Sequence, residues 1–84
     1  MYVISPYNAL CTDVGDQAIT TFEECTVAAT KLHFDAPIFE DYPLSNYPRG
    51  CYIHGKQGAR IFFNSHSTGS AIETSRQICK SSGN

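Results

Sequence analysis

No stretch of this 84-residue chain is apolar for the roughly 18 residues that a membrane-spanning helix needs, so no transmembrane span is expected. Charge of one sign is equally scarce. Six Lys and Arg against eight Asp and Glu leave a net charge of −2, which argues against nucleic acid as the partner. There is no C-x-x-C, so neither a thioredoxin-like redox motif nor a zinc knuckle is indicated. Asn8, Asn46 and Asn64 all lack the third residue of a glycosylation sequon. The start, Met1-Tyr2-Val3-Ile4-Ser5-Pro6, lacks the basic segment and the apolar length of a signal peptide. If the chain works outside the cytosol, its targeting segment is expected to have been removed or to lie outside this sequence. No internal repeat is visible.

What is present is a single small domain, residues 1–84, with four cysteines: Cys11, Cys25, Cys51 and Cys79. A chain this short buries only about 60–65% of the surface that its unfolded form exposes, so its core alone is marginal and staples are expected. An even number of widely spaced cysteines in a short chain reads as two disulfides in an oxidising compartment. Three pairings are possible, and spacing does not choose among them.

The elements read as an α+β domain: one helix over about 21–33, packed on a short antiparallel sheet with a hairpin over about 50–64. Thr21-Phe22-Glu23-Glu24 has the form of a capping box. Phe22, Cys25, Ala28, Ala29 and Leu32 recur on one helical face, which points Cys25 at the core. Lys31 and His33 suit the C-terminal turn. Tyr2-Val3-Ile4 can form a short edge strand, and Asp13-Val14-Gly15-Asp16 a turn. Residues 34–49, with Pro37, Pro43 and Pro48, read as a loop whose aromatics pack back on the domain. In the hairpin, Gly55-Lys56-Gln57-Gly58 reads as a four-residue turn. Alternation puts Cys51, Ile53, Ile61 and Phe63 on one face, and Tyr52, His54, Arg60 and Phe62 on the other. If Cys51 faces the helix it can meet Cys25; that bond would staple helix to hairpin and leave Cys11 and Cys79 to tie the ends. Residues 65–75 read as a Ser/Thr/Gly-rich loop, 75–79 as a short closing strand, and 81–84 as a frayed tail.

Ile19-Thr20-Thr21-Phe22-Glu23-Glu24-Cys25 with Ala28-Ala29 and Leu32, then Tyr47-Pro48-Arg49-Gly50-Cys51-Tyr52, then Ile61-Phe62-Phe63-Asn64 with Gly69, and finally Ile78-Cys79, form an ordered set. It resembles a small four-cysteine module of secreted and membrane-anchored proteins of unicellular algae, dinoflagellates especially, over roughly residues 11–80. The resemblance implies an extracytoplasmic location and the nested pairing, Cys11 with Cys79 and Cys25 with Cys51. It brings no activity with it.

Four sets of residues are of types that can carry chemistry. Ser65-His66-Ser67 lacks the strained elbow of a nucleophile and reads as a polar loop. Gly55-Lys56-Gln57-Gly58 lacks the spacing and the Ser or Thr of a phosphate loop. His33, His54 and His66 are better read as ordinary histidines than as zinc ligands. Asp13, Asp16, Asp35, Glu40 and Asp41 lack the spacing of a calcium loop. No catalytic residue, metal or cofactor is therefore expected. One asymmetry remains: residues 13–41 carry seven acids and one Lys, residues 49–80 five basic residues and Glu73. Either the two halves neutralise each other inside one domain, or a basic hairpin face steers an anionic partner.

The hairpin's far face, with Tyr52, His54, Arg60 and Phe62, is the expected binding surface, because aromatics with Arg anchor interfaces and suit polar ligands. The competing expectation is that the N-terminal segment or the proline-rich loop covers it. The expected function is a non-enzymatic recognition module outside the cytosol, secreted or on the cell surface, that binds protein or glycan. The alternative is an extrinsic or linker subunit of a larger algal complex, such as a photosystem on the side of the thylakoid lumen.

Overall fold

The computed structural model describes residues 1–57 and 59–81. In chain order the elements are β1 (Tyr2–Ile4), a 3-10 turn (Cys11–Val14), β2 (Gln17–Ala18), α1 (Phe22–Lys31), β3 (Ile38–Phe39), β4 (Pro48–His54), β5 (Arg60–Gly69) and β6 (Ser75–Lys80). The class is α+β, one helix on one sheet closed by two disulfides. No helix among the described residues is long and apolar enough to cross a membrane.

The strands run in the order β1-β6-β4-β5-β3, and β2 also pairs with β6. All pairings are antiparallel except β3 with β5, which is parallel, so the sheet is mixed rather than purely antiparallel. Two elements have no signal in the sequence. β2 and β3 are two residues long, too short for any alternation to register. The expected loop at 65–75 is also partly strand, because β5 continues to Gly69. Its polar residues are held by side chains: His66 N–H donates to Asn64 Oδ1, and Thr68 and Gly69 N–H donate to His66 Nδ1. The last strand does not close the sheet. β6 is central, flanked by β1 on one side and by β4 and β2 on the other. The expected turn at Gly58 and the expected tail at 82–84 lie outside the described residues.

Helix α1 follows the expected pattern. The Thr21 hydroxyl accepts from Glu24 N–H at 3.2 Å, capping the first turn. The reciprocal half of the capping box is not made. Glu24 instead accepts from the Tyr2 hydroxyl and pairs with Lys80, both at 3.1 Å, tying the helix to β1 and β6. Beyond Leu32 the chain turns through His33 at φ 66°, with His33 N–H on Thr30 and Phe34 N–H on Ala29. This is a Schellman end with His where glycine is usual.

Cys25, Ala28 and Ala29 are fully buried against Cys51, Ile53, Ile61, Phe63 and Ile78. The alanines allow the helix to lie close on the sheet. Phe22, Phe39 and Phe63 close one end of this core, ring to ring at 5.5–5.9 Å. The nested disulfides are present: Cys25–Cys51 joins α1 to β4, and Cys11–Cys79 joins the 3-10 turn to β6. Two buried disulfides are the mark of an oxidising, extracytoplasmic setting. Gly50, at φ 74°, lies against the Ile19 carbonyl so closely that a Cβ would strike it, so the segment after β2 can cross β4 only at a glycine.

Candidate functional site

The hairpin register pairs Tyr52 with Phe62 and His54 with Arg60, as alternation requires for residues sharing one face. That face is largely covered. Tyr52 is 2% exposed, its ring stacked between Tyr47 and Phe62 at 5.9 and 5.7 Å, and its hydroxyl donates to Glu40. Burial first, then the hydrogen bond to the Glu40 carboxylate, pushes its phenol far above its ordinary pKa. Tyr52 therefore does not project to solvent. Phe62 and His54 are half-buried; His54 sits edge-on to Tyr47 and bonds Ser75 through Nδ1 at 3.0 Å. Only Arg60 of the four is exposed. The sequence pattern names the face correctly, but alternation within a hairpin says nothing about what a distant loop lays over it.

The cover is the proline-rich loop, and its fastener is Asn64. Asn64 is buried at 1% exposure. Its Nδ2 donates to the carbonyls of Leu44, Tyr47 and Pro48 at 2.7–3.3 Å, and its Oδ1 accepts from Leu44 N–H at 2.9 Å. Gln77 plays a like part on β6, accepting from Cys11 N–H and donating to the Arg49 carbonyl. Neither amide is marked by the sequence as structural. The only available signal is a polar residue interrupting an apolar strand run, Phe62-Phe63-Asn64 and Gln77-Ile78-Cys79.

Two parts of the surface stay open. At the β3 edge, Ile38 and Phe39 are 42% and 50% exposed. Glu40 N–H donates to the Phe63 carbonyl at 3.0 Å, which sets the parallel ladder so that Phe39 turns its own N–H and C=O to the free edge. Beside it lies an open cleft of about 440 Å³, lined in part by His33, Phe34, Asp35, Ile38, Arg60 and Ile61. The second open part is at Tyr7, whose ring carries Arg76 and Lys56 at 5.0 and 5.4 Å from its centre. His66 Nδ1 is engaged by the backbone N–H groups of Thr68 and Gly69, and all four cysteines are in disulfides.

The charge asymmetry resolves in contacts. Among the described residues the one salt bridge is Lys80–Glu24, which joins one of the five basic residues of 49–80 to the acidic segment. No family model matches the chain, and neither a curated protein nor a solved structure matches it.

Proposed function

We propose that the chain is a non-enzymatic recognition module that works outside the cytosol and takes a protein partner along the β3 edge beside Arg60. One observation carries the reading: two large apolar side chains, Ile38 and Phe39, stand exposed on a strand whose outer edge is free, next to Arg60, which has no ion-pair partner among the described residues. Arg with aromatic and aliphatic neighbours is the composition of an interface centre, and an open strand edge offers a partner backbone hydrogen bonds. The expected site thus moves along β5: Arg60 stays in it, Phe62 and His54 border it, and Tyr52 supports it from within. The resemblance to the algal four-cysteine module and the two disulfides support a secreted or surface location. A structural subunit of a larger assembly, in the thylakoid lumen among other places, would use the same edge, and fixed stoichiometry would mark it.

The test isolates a partner with the whole chain as bait at physiological salt, then measures its affinity for wild type, Arg60→Ala and Ile38→Asp. Both positions are exposed, so melting temperatures should stay within a few degrees. Each substitution is expected to weaken binding roughly tenfold or more. Unchanged affinity in both variants would remove the β3 edge from consideration, and glycan binding that Arg60→Ala and Ile38→Asp weaken, with no protein partner, would overturn the reading.

A further inference from the structure

The cluster at Tyr7 stands apart from the β3 edge and is assembled from three segments. Ser5 N–H donates to the Gln77 carbonyl at 2.9 Å and Asn8 N–H to Ser75 at 3.2 Å, so the N-terminal segment is pinned along β6 on either side of Tyr7. Asn8 holds φ 61°, a left-handed conformation that costs free energy and bends the chain directly after the tyrosine. Gly55 N–H donates to the Thr74 carbonyl at 2.9 Å, which brings the hairpin tip and Lys56 to the same place. Arg76 comes from β6 itself, its Nε fixed on the Ser5 carbonyl at 2.9 Å.

The outcome is two cations on one ring. By their ring distances they are at most about 10 Å apart. Neither is paired with a carboxylate among the described residues. The Nη groups of Arg76 and the Tyr7 hydroxyl also have no hydrogen-bond partner among the described residues. Like charges at this range repel, and the tyrosine ring offsets only part of that through its quadrupole. An anion drawn to either cation lowers that repulsion and gains a charge-assisted hydrogen bond from it. The guanidinium offers its planar fork, the ammonium a point charge, and the phenol a third donor.

We propose that Tyr7, Lys56 and Arg76 form a binding site for an anionic saccharide, held through a sulfate or carboxylate group. A protein interface is the poorer fit, because its centre needs apolar side chains and this cluster offers only the partly exposed Tyr7 ring. A partly exposed aromatic ring with a forked donor beside it suits one charged sugar residue of a longer chain.

The experiment is calorimetric titration of the full chain with a heparin-derived hexasaccharide (sulfate and carboxylate), a hyaluronan hexasaccharide (carboxylate alone), an uncharged dextran oligomer and inorganic sulfate. The heparin or hyaluronan fragment is expected to bind, more weakly as salt rises, and dextran is not. Lys56→Gln, at an exposed position, is expected to cut that affinity roughly tenfold, the worth of one charge-assisted contact. Arg76→Lys keeps the charge but loses the fork, and should lie between wild type and Lys56→Gln. Lys31→Gln, which removes one charge from the end of α1, should change affinity less than twofold. An equal loss from Lys31→Gln and Lys56→Gln would mean attraction by net charge and would overturn the site. So would absence of binding to both acidic fragments, or inorganic sulfate binding as tightly as either of them.

Discussion

The two faces of the sheet are built by different means. The helix face is dry and apolar: Cys25, Ala28 and Ala29 meet Cys51, Ile53, Ile61 and Phe63, and a disulfide locks the contact. The opposite face is an aromatic ladder, Tyr47 on Tyr52 on Phe62, roofed by an irregular loop that a buried amide holds down. The first face gets its order from periodicity and a covalent bond, the second from hydrogen bonds that each depend on one side chain. Loss of the staple should therefore be a global event, and loss of the amide a local one.

The largest effect belongs to the staple. Cys25–Cys51 closes a loop of 26 residues, worth about 3.5 kcal/mol in the chain-entropy model before any loss of packing. That is a large share of the stability of a domain this size. Cys25→Ala with Cys51→Ala should lower the denaturation midpoint in one cooperative step, with helix and sheet signals lost together. A stable helix-free sheet would instead show that the outer face stands alone.

Asn64 is the matching probe of the other face. Asn64→Asp keeps the shape and the acceptor but removes the donor to the carbonyls of Leu44, Tyr47 and Pro48. Leaving buried carbonyls unpaired beside a carboxylate should cost about 2–3 kcal/mol. Amide exchange should rise first in residues 41–48 while the helix stays protected. Equal exchange across the chain would erase the distinction between the faces.

Tyr52 gives the next, smaller effect and a pH signature. Its folded-state pKa lies above the unfolded value of about 10. Its contribution is thus fully present below pH 10 and is lost as the medium becomes more alkaline, since the unfolded chain sheds the proton first. Glu40 and Tyr47 face the phenol and act in the same direction. Tyr52→Phe should cost about 1 kcal/mol at neutral pH and flatten the fall in melting temperature between pH 9 and 11. An unchanged slope would locate the alkaline sensitivity elsewhere.

How much was legible follows the same division. The helix, its buried stripe, the hairpin register and the sorting of its two faces could be read because each rests on local periodicity, from Phe22 to Leu32 and from Cys51 to Phe63. The α+β class followed from the helix and hairpin patterns, and the need for disulfides from the small core. Illegible were β2 and β3, two residues each, whose pairing is decided by where β6 and β5 present their edges. The burial of Tyr52 was legible only as one of two expectations: that the proline-rich loop covers the face could be anticipated, but not the path that sets Tyr47 and Glu40 on the ring, which is fixed by Asn64, 17 residues beyond Tyr47. The candidate site suffered most: three of its four residues serve packing, and the open surface lies beside Arg60 and around Tyr7, where contacts join segments far apart in the sequence.

The smallest effect is expected where the helix face ends, and it has the opposite sign. His33 occupies the left-handed position of the Schellman turn at φ 66°, where an L side chain is strained. Its exposed imidazole contributes no hydrogen bond among the described residues, so the cost is backbone strain with little return. Glycine removes that strain but enlarges the unfolded ensemble, which offsets part of the gain. His33→Gly should therefore stabilise the domain by about 0.5–1 kcal/mol, seen as a melting temperature several degrees higher. His33→Ala separates backbone from side chain, since it removes the imidazole while keeping a Cβ in the left-handed region. If the backbone is the cause, Ala leaves stability unchanged or lower while Gly raises it. If both raise it equally, the imidazole itself is unfavourable in its place beside Asp35 and Arg60 along the cleft, and the helix end is unstrained.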